Sequence, residues 1–159
     1  MNDELLEVRR TVDTTLERLF ALLADPTRHQ EIDTSGMVRA VHSKAGRLTG
    51  IGDQFDMRMY NDRLGDYVMR NTVIAYIENR LIGWGPELYP LDGHTATIGD
   101  MRATGHTYTW ALEPASPATV VTVTYNWSQV TDERFKRGFP LLSPQQLDES
   151  INRAAHAAS

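Results

Sequence analysis

His106 and Tyr108 stand two residues apart, and Trp110 follows two further on. The segment alternates His106, Tyr108, Trp110 and Leu112 with Thr107, Thr109, Ala111 and Glu113. Such alternation belongs to a β-strand, so the imidazole, phenol and indole point to one face. An imidazole near neutral pKa suits proton transfer, and a phenol donates a hydrogen bond. Beside an indole they would form a polar corner in an aromatic cavity. The plainer alternative places His106 at a solvated strand start. Arg10 shares the apolar face of Leu6, Val8 and Val12. A buried guanidinium needs a partner. It would anchor a carbonyl, carboxylate or phenolate, or else pair with an acidic neighbour or snorkel to the rim. Trp84, Trp110, Tyr125 and Trp127 read as walls, because aromatics bury large areas. Phe55, Met57 and Met59 read as core, with the methionines giving a pliable wall.

Other chemistries find little support. The chain has no cysteine, so disulfides and thiolate metal sites are excluded. Gly46, Gly50 and Gly52 lack a following GK[ST] and a helix, and read as a hairpin bend. His29, Glu31 and His42 lack HExxH spacing, and His29 and Glu31 are expected in a short surface helix. No Ser-His-Asp arrangement or nucleophile elbow is present. Neither cofactor nor metal is expected. The net charge is −5, and the densest basic cluster, Arg134, Lys136 and Arg137, adjoins Asp132 and Glu133. That balance argues against a nucleic-acid partner. No apolar run approaches the ~18 residues of a membrane span, and the acidic N-terminus lacks the features of a signal peptide. The expectation is a cytoplasmic protein.

The elements that must carry these residues follow from pattern. At 159 residues the chain is expected to form one domain. A first strand covers Leu6 to Val12. Thr14 and Glu17 have capping-box spacing ahead of a helix striped by Leu16, Leu19, Phe20 and Leu23. Asp25-Pro26 stops it and opens a second short helix to about Ile32. Strands are expected at Met37–Ser43, around Phe55–Met59, at Tyr67–Ile77 and at Arg80–Tyr89, then a loop to Ala103. Two more follow, through His106–Leu112 and Val121–Trp127. Asp132–Phe139 reads as a helical turn. Ser143-Pro144-Gln145-Gln146 is a strong helix start. The stripe Leu147, Ile151, Ala154, Ala155, Ala158 ends in small side chains, which hints at incomplete filling and a cavity.

This order, one strand, two short helices, a run of antiparallel strands and a C-terminal helix, resembles the helix-grip order of the START-like superfamily. Particular segments resemble its polyketide cyclase/dehydrase branch. They are Arg10-Thr11-Val12-Asp13 with Leu16–Phe20, then Leu23-Ala24-Asp25-Pro26-Thr27-Arg28-His29, then Gly50–Phe55, then Thr122–Ser128. The resemblance covers about residues 5 to 156. It implies an α+β fold in which a curved antiparallel sheet wraps the last helix around a cavity. It also implies a small apolar or aromatic, polyketide- or lipid-like ligand. The ligand residues would be Arg10, Trp84, His106, Tyr108, Trp110 and Tyr125. One alternative is a cofactor-independent cyclase or dehydrase using His106 and Tyr108. Another is a protein-interaction module of the kind found among Hsp90-activator-like relatives. A homodimer is left open.

Overall fold

The period-two pattern along the chain is realised in seven strands. A computed structural model describes residues 4–41, 46–90, 95–99 and 101–159. The strands are β1 (Leu5–Val12), β2 (Val38–Val41), β3 (Gln54–Asn61), β4 (Gly65–Ile77), β5 (Leu81–Tyr89), β6 (Thr107–Ala115) and β7 (Ala118–Asn126). They form one sheet in the order β1-β7-β6-β5-β4-β3-β2, with every neighbour antiparallel. Consecutive strands pair from β2 to β7, and β7 comes back to lie beside β1. The β2 strand agrees with the expected strand as far as Val41, whereas residues 42 and 43, with His42, lie outside the described residues.

Helix α1 (Leu16–Leu23) buries Leu16, Leu19, Phe20, Leu22 and Leu23. Its cap is Thr15 and not Thr14: Thr15 Oγ1 accepts a hydrogen bond from the Arg18 amide at 3.3 Å. Glu17 therefore sits one position too early to close a capping box. Thr14 is buried instead, and its hydroxyl has no partner among the described residues. A 3-10 turn, Pro26–Glu31, follows, capped by Asp25. The expected loop before Ala103 holds a short helix, α2 (Thr95–Ile98), and α3 (Glu133–Lys136) forms where a helical turn was expected. Helix α4 (Pro144–Ala158) has the full capping box. Ser143 Oγ accepts from the Gln146 amide at 3.1 Å, and Gln146 Oε1 accepts from the Ser143 amide at 2.8 Å. No described helix is long and apolar enough to cross a membrane.

The concave face of the sheet grips α4, which lies against β1, β7 and α1. The architecture is the α+β helix-grip fold. Its buried residues fall into two groups. The larger joins α1 and α4 to the sheet through residues such as Phe20, Ile82, Val121 and Ile151. The smaller joins Tyr67, Leu88, Ile98 and Ala103. A cavity takes its walls from both groups. Leu147 and Ser150, in the first half of α4, border it, and the alanines do not. Ala154 and Ala158 are buried. The small residues thus mark close packing, and the space opens at the other end of the helix.

Candidate functional site

The cavity has a volume of about 410 Å³. Interiors normally pack to crystal-like density with few voids larger than one water, so a space of this size is a feature of the fold. Five of the six methionines, Met37, Met57, Met59, Met69 and Met101, line it. Phe55, Trp84, Leu88, Trp110 and Leu147 supply rigid apolar wall. Unbranched thioethers between fixed rings let one cavity fit differing shapes.

His106 is placed by a backbone feature. Gly105 adopts φ +111°, and a Cβ there would lie 2.7 Å from the Gln129 carbonyl oxygen and 2.8 Å from Val130 Cα. Only glycine allows this approach. The turn delivers His106 just before β6, in line with Tyr108 and Trp110, and all three border the cavity. His106 is 4% exposed, so the solvated strand start does not hold. Its ring contacts Tyr108 at 5.9 Å, Phe135 at 5.6 Å and Phe139 at 5.2 Å between centroids. Nδ1 is sealed and has no hydrogen-bond partner among the described residues. Burial without a compensating charge lowers its pKa to about 4, and the imidazole is neutral.

Tyr108 is half-buried and borders the cavity. Its ring stacks on Tyr125 at 4.7 Å with 6° between planes. Burial, and then the neighbouring Tyr125, push the Tyr108 phenol well above its ordinary pKa. Trp84 faces Tyr108 across the β5–β6 pair and also borders the cavity.

Two expected site residues stand elsewhere. Arg10 does not border the cavity; its Nη1 pairs with Asp148 Oδ2 of α4 at 3.3 Å. The apolar face of β1 meets the gripped helix, so a cation there is answered by the helix's own carboxylate. Tyr125 is fully buried one layer behind the wall. Stacking on Tyr108 covers one ring face, its hydroxyl accepts from the Leu141 amide at 3.3 Å, and burial pushes its pKa up to about 12.

The structure adds a residue that sequence reasoning assigned to the surface. His29 is 6% exposed and borders the cavity. In a 3-10 turn, residues three apart eclipse one another, and Pro26, His29 and Ile32 are all buried. That three-residue spacing was the available signal. The His29 ring stacks on Trp84 at 4.8 Å and meets Phe55 edge-on at 5.1 Å. Its Nε2 lies 2.7 Å from the Leu23 carbonyl oxygen. Burial lowers its pKa, although the Leu23 contact opposes this. Asn71 is a further neutral polar lining group; its Nδ2 donates to the Met69 carbonyl at 3.2 Å. The charged lining residues are Arg63, Arg134 and Asp33. Asp33 accepts hydrogen bonds from Ser35, Gly36 and Val38, and Arg134 pairs with Asp132. Among the described residues, no three His, Asp or Glu side chains converge as a metal site.

No family model matches the chain. Two curated proteins of Mycobacterium tuberculosis are similar to it. Uncharacterized protein Rv0088 is 34% identical over 110 residues, which is 69% of this chain and 41% of that protein. Uncharacterized protein MT0096 is 33% identical over the same coverage. The chain thus spans about two-fifths of the length of these relatives. Among solved structures, protein CV1439 from Chromobacterium violaceum superposes with a TM-score of 0.67 at 12% identity, over 99% of this chain and 98% of that one. Protein Ms6760 from Mycobacterium smegmatis gives 0.65 at 13%, over 96% and 89%. A structure described as the Aha1 dimer from Colwellia psychrerythraea gives 0.55 at 15%, over 97% and 95%. At these identities the likeness establishes the fold, and the fold alone.

Proposed function

We propose that the protein binds a small, mostly apolar, aromatic-type molecule inside the grip, and that it belongs to the polyketide cyclase/dehydrase branch of the START-like superfamily. One observation carries the binding reading. A cavity of about 410 Å³ is walled mainly by aromatic rings, methionines and other apolar side chains, with fewer polar groups, of which Asp33, Arg63 and Arg134 are charged. Small-molecule sites are of this size and make-up. Side chains around an apolar space of this size lack packing partners on one side, and a ligand would supply them.

A cyclase-type reaction remains the second reading, because His106 and Tyr108 converge on the cavity. Their proton affinities argue against it. Efficient general acid–base groups titrate near the working pH. His106 titrates near 4, which makes it a weak base, and Tyr108 is held well above its ordinary value, which makes it a weak acid. Both are well suited to neutral hydrogen bonding. A protein-interaction module would be expected to combine a filled core with a large exposed apolar patch, and the cavity disfavours it.

The test is titration with a fluorescent apolar probe such as N-phenyl-1-naphthylamine, alongside native mass spectrometry of the purified protein. Saturable one-to-one binding is expected. Ala103→Phe, whose ring would grow into the cavity, should abolish it without lowering thermal stability. Equal binding by this variant would sink the cavity reading.

A further inference from the structure

Two histidines flank an aromatic pair on the cavity wall. Trp84 on β5 and Tyr108 on β6 are register partners, and both border the space. His29 stacks on Trp84 with 25° between planes, and His106 stands edge-on to Tyr108 at 77°. The contacts therefore run in the order His29, Trp84, Tyr108, His106. Both imidazoles are buried, and both are kept neutral by that burial. A neutral imidazole carries one donor and one acceptor nitrogen, and its surroundings decide which is which.

For His29 the choice is forced. The Leu23 carbonyl can only accept, so Nε2 carries the proton at 2.7 Å from it. Nδ1 is left as an acceptor, without a partner among the described residues and not sealed from open space. For His106 the sealed atom is Nδ1. Orphaned buried N–H groups are rarer than orphaned acceptors, so the sealed nitrogen carries the lone pair and Nε2 carries the proton. Nε2 has no partner among the described residues and is not sealed, and the ring borders the cavity. The two ends of the wall thus offer opposite polarity.

We infer that the cavity recognises a flat molecule bearing a hydrogen-bond donor at one end, received by His29 Nδ1, and an acceptor at the other, held by His106 Nε2–H. The matching ligand class is a hydroxyaryl ketone, lying over Trp84 and Tyr108. This rests on the binding reading above and adds direction to it.

Four compounds of one shape separate the terms: tetralin, 1-tetralone, 5,6,7,8-tetrahydro-2-naphthol and 6-hydroxy-1-tetralone. Each matched neutral hydrogen bond is expected to tighten binding by about three- to tenfold. The hydroxyketone should therefore bind about ten- to a hundredfold tighter than tetralin, with the singly substituted compounds between. His106→Leu should erase the advantage of the ketone and keep that of the hydroxyl. His29 also ties the 3-10 turn to α1, so its role is read in the wild type. Nitrogen-15 spectra should show Nε2–H tautomers at both histidines, with the His29 Nδ1 signal shifting on addition of the hydroxyl compounds. Equal affinity for all four compounds, or an Nδ1–H tautomer at His106, would overturn the inference and leave the cavity reading standing. Binding of none of the four, with the apolar probe also excluded, would overturn both.

Discussion

His106 is a polar side chain held where it is least stable. Its sealed Nδ1 has no partner, and leaving such a group unpaired costs about 1–3 kcal/mol. Replacing it with an apolar side chain of similar size should stabilise the empty protein. His106→Leu is expected to raise the melting temperature by about 2–12 °C, at about 2–4 °C per kcal/mol for a chain of this size. A scan of melting temperature at neutral pH checks this. The same residue sets an acid limb. The unfolded chain takes up a proton near the ordinary value of 6.5, whereas the folded protein does so only near 4. Between these values the unfolded state binds more protons, so stability falls as the pH falls from 6.5 to 4. The loss is on the order of 3 kcal/mol, and the lowered pKa of His29 acts in the same direction. Denaturant midpoints measured across that range should be markedly flatter for His106→Leu; an unchanged slope would show that His106 is not the group responsible. At this scale the sequence is legible where period-two alternation holds, as for Tyr108 and Trp110. It is not legible for Arg10, whose facing is correct but whose partner, Asp148, comes from an element far along the chain. Nor does it show His29, because helical spacing hides the three-residue face of a 3-10 turn.

Helix α4 is joined to the rest by links of very different strength. The Arg10–Asp148 pair is half open, with side chains 40% and 49% exposed, and exposed ion pairs contribute about 0–1 kcal/mol. The Ser143 cap serves an amide that has no other partner at the start of the helix, and losing such a cap costs about 1 kcal/mol, up to 2. Chemical denaturation should therefore rank Ser143→Ala as more destabilising than Arg10→Leu. Arg10→Leu should also leave probe affinity unchanged, since Arg10 does not border the cavity; a clear loss of affinity would contradict the site described. The start of α4 is readable because Ser143, Pro144 and Gln146 each satisfy a local requirement of helix initiation. At α1, two adjacent threonines offer competing caps, and tertiary packing decides: Thr14 is drawn into the core, where its carbonyl accepts from the buried Thr119 hydroxyl at 2.7 Å. The strands and their order are legible from alternation and the resemblance together. Helix α2 is not, because four residues within a glycine-bearing loop show no period.

At the scale of the whole molecule, the methionines are concentrated on the cavity, and this makes the site sensitive to oxidation. Sulfoxide formation turns a flexible apolar side chain into a polar one. Mild peroxide treatment should reduce probe binding in proportion to the oxidation of Met57, Met59, Met69 and Met101, read by peptide mass spectrometry. A bound ligand should protect these four. Oxidation at all four with probe affinity retained would mean that they do not form the binding wall. The strand order also bears on how the molecule is made. Neighbours from β2 to β7 are consecutive in the chain, whereas β1 pairs with β7 through partners as distant as Leu5 and Asn126. Local hairpins close quickly, and distant pairings pay loop entropy first and come late. A ribosome-bound chain that has emitted β1 must therefore hold it unpaired until β7 has followed. The cavity closes later still, because Phe135, Leu142 and Leu147 come after β7 in the chain. Until then the methionine- and tryptophan-lined trough is open to any apolar surface nearby. Between the synthesis of β5 and that of α4 the growing chain therefore exposes apolar surface that the finished fold conceals, and this is the interval in which capture by a chaperone is expected to be strongest.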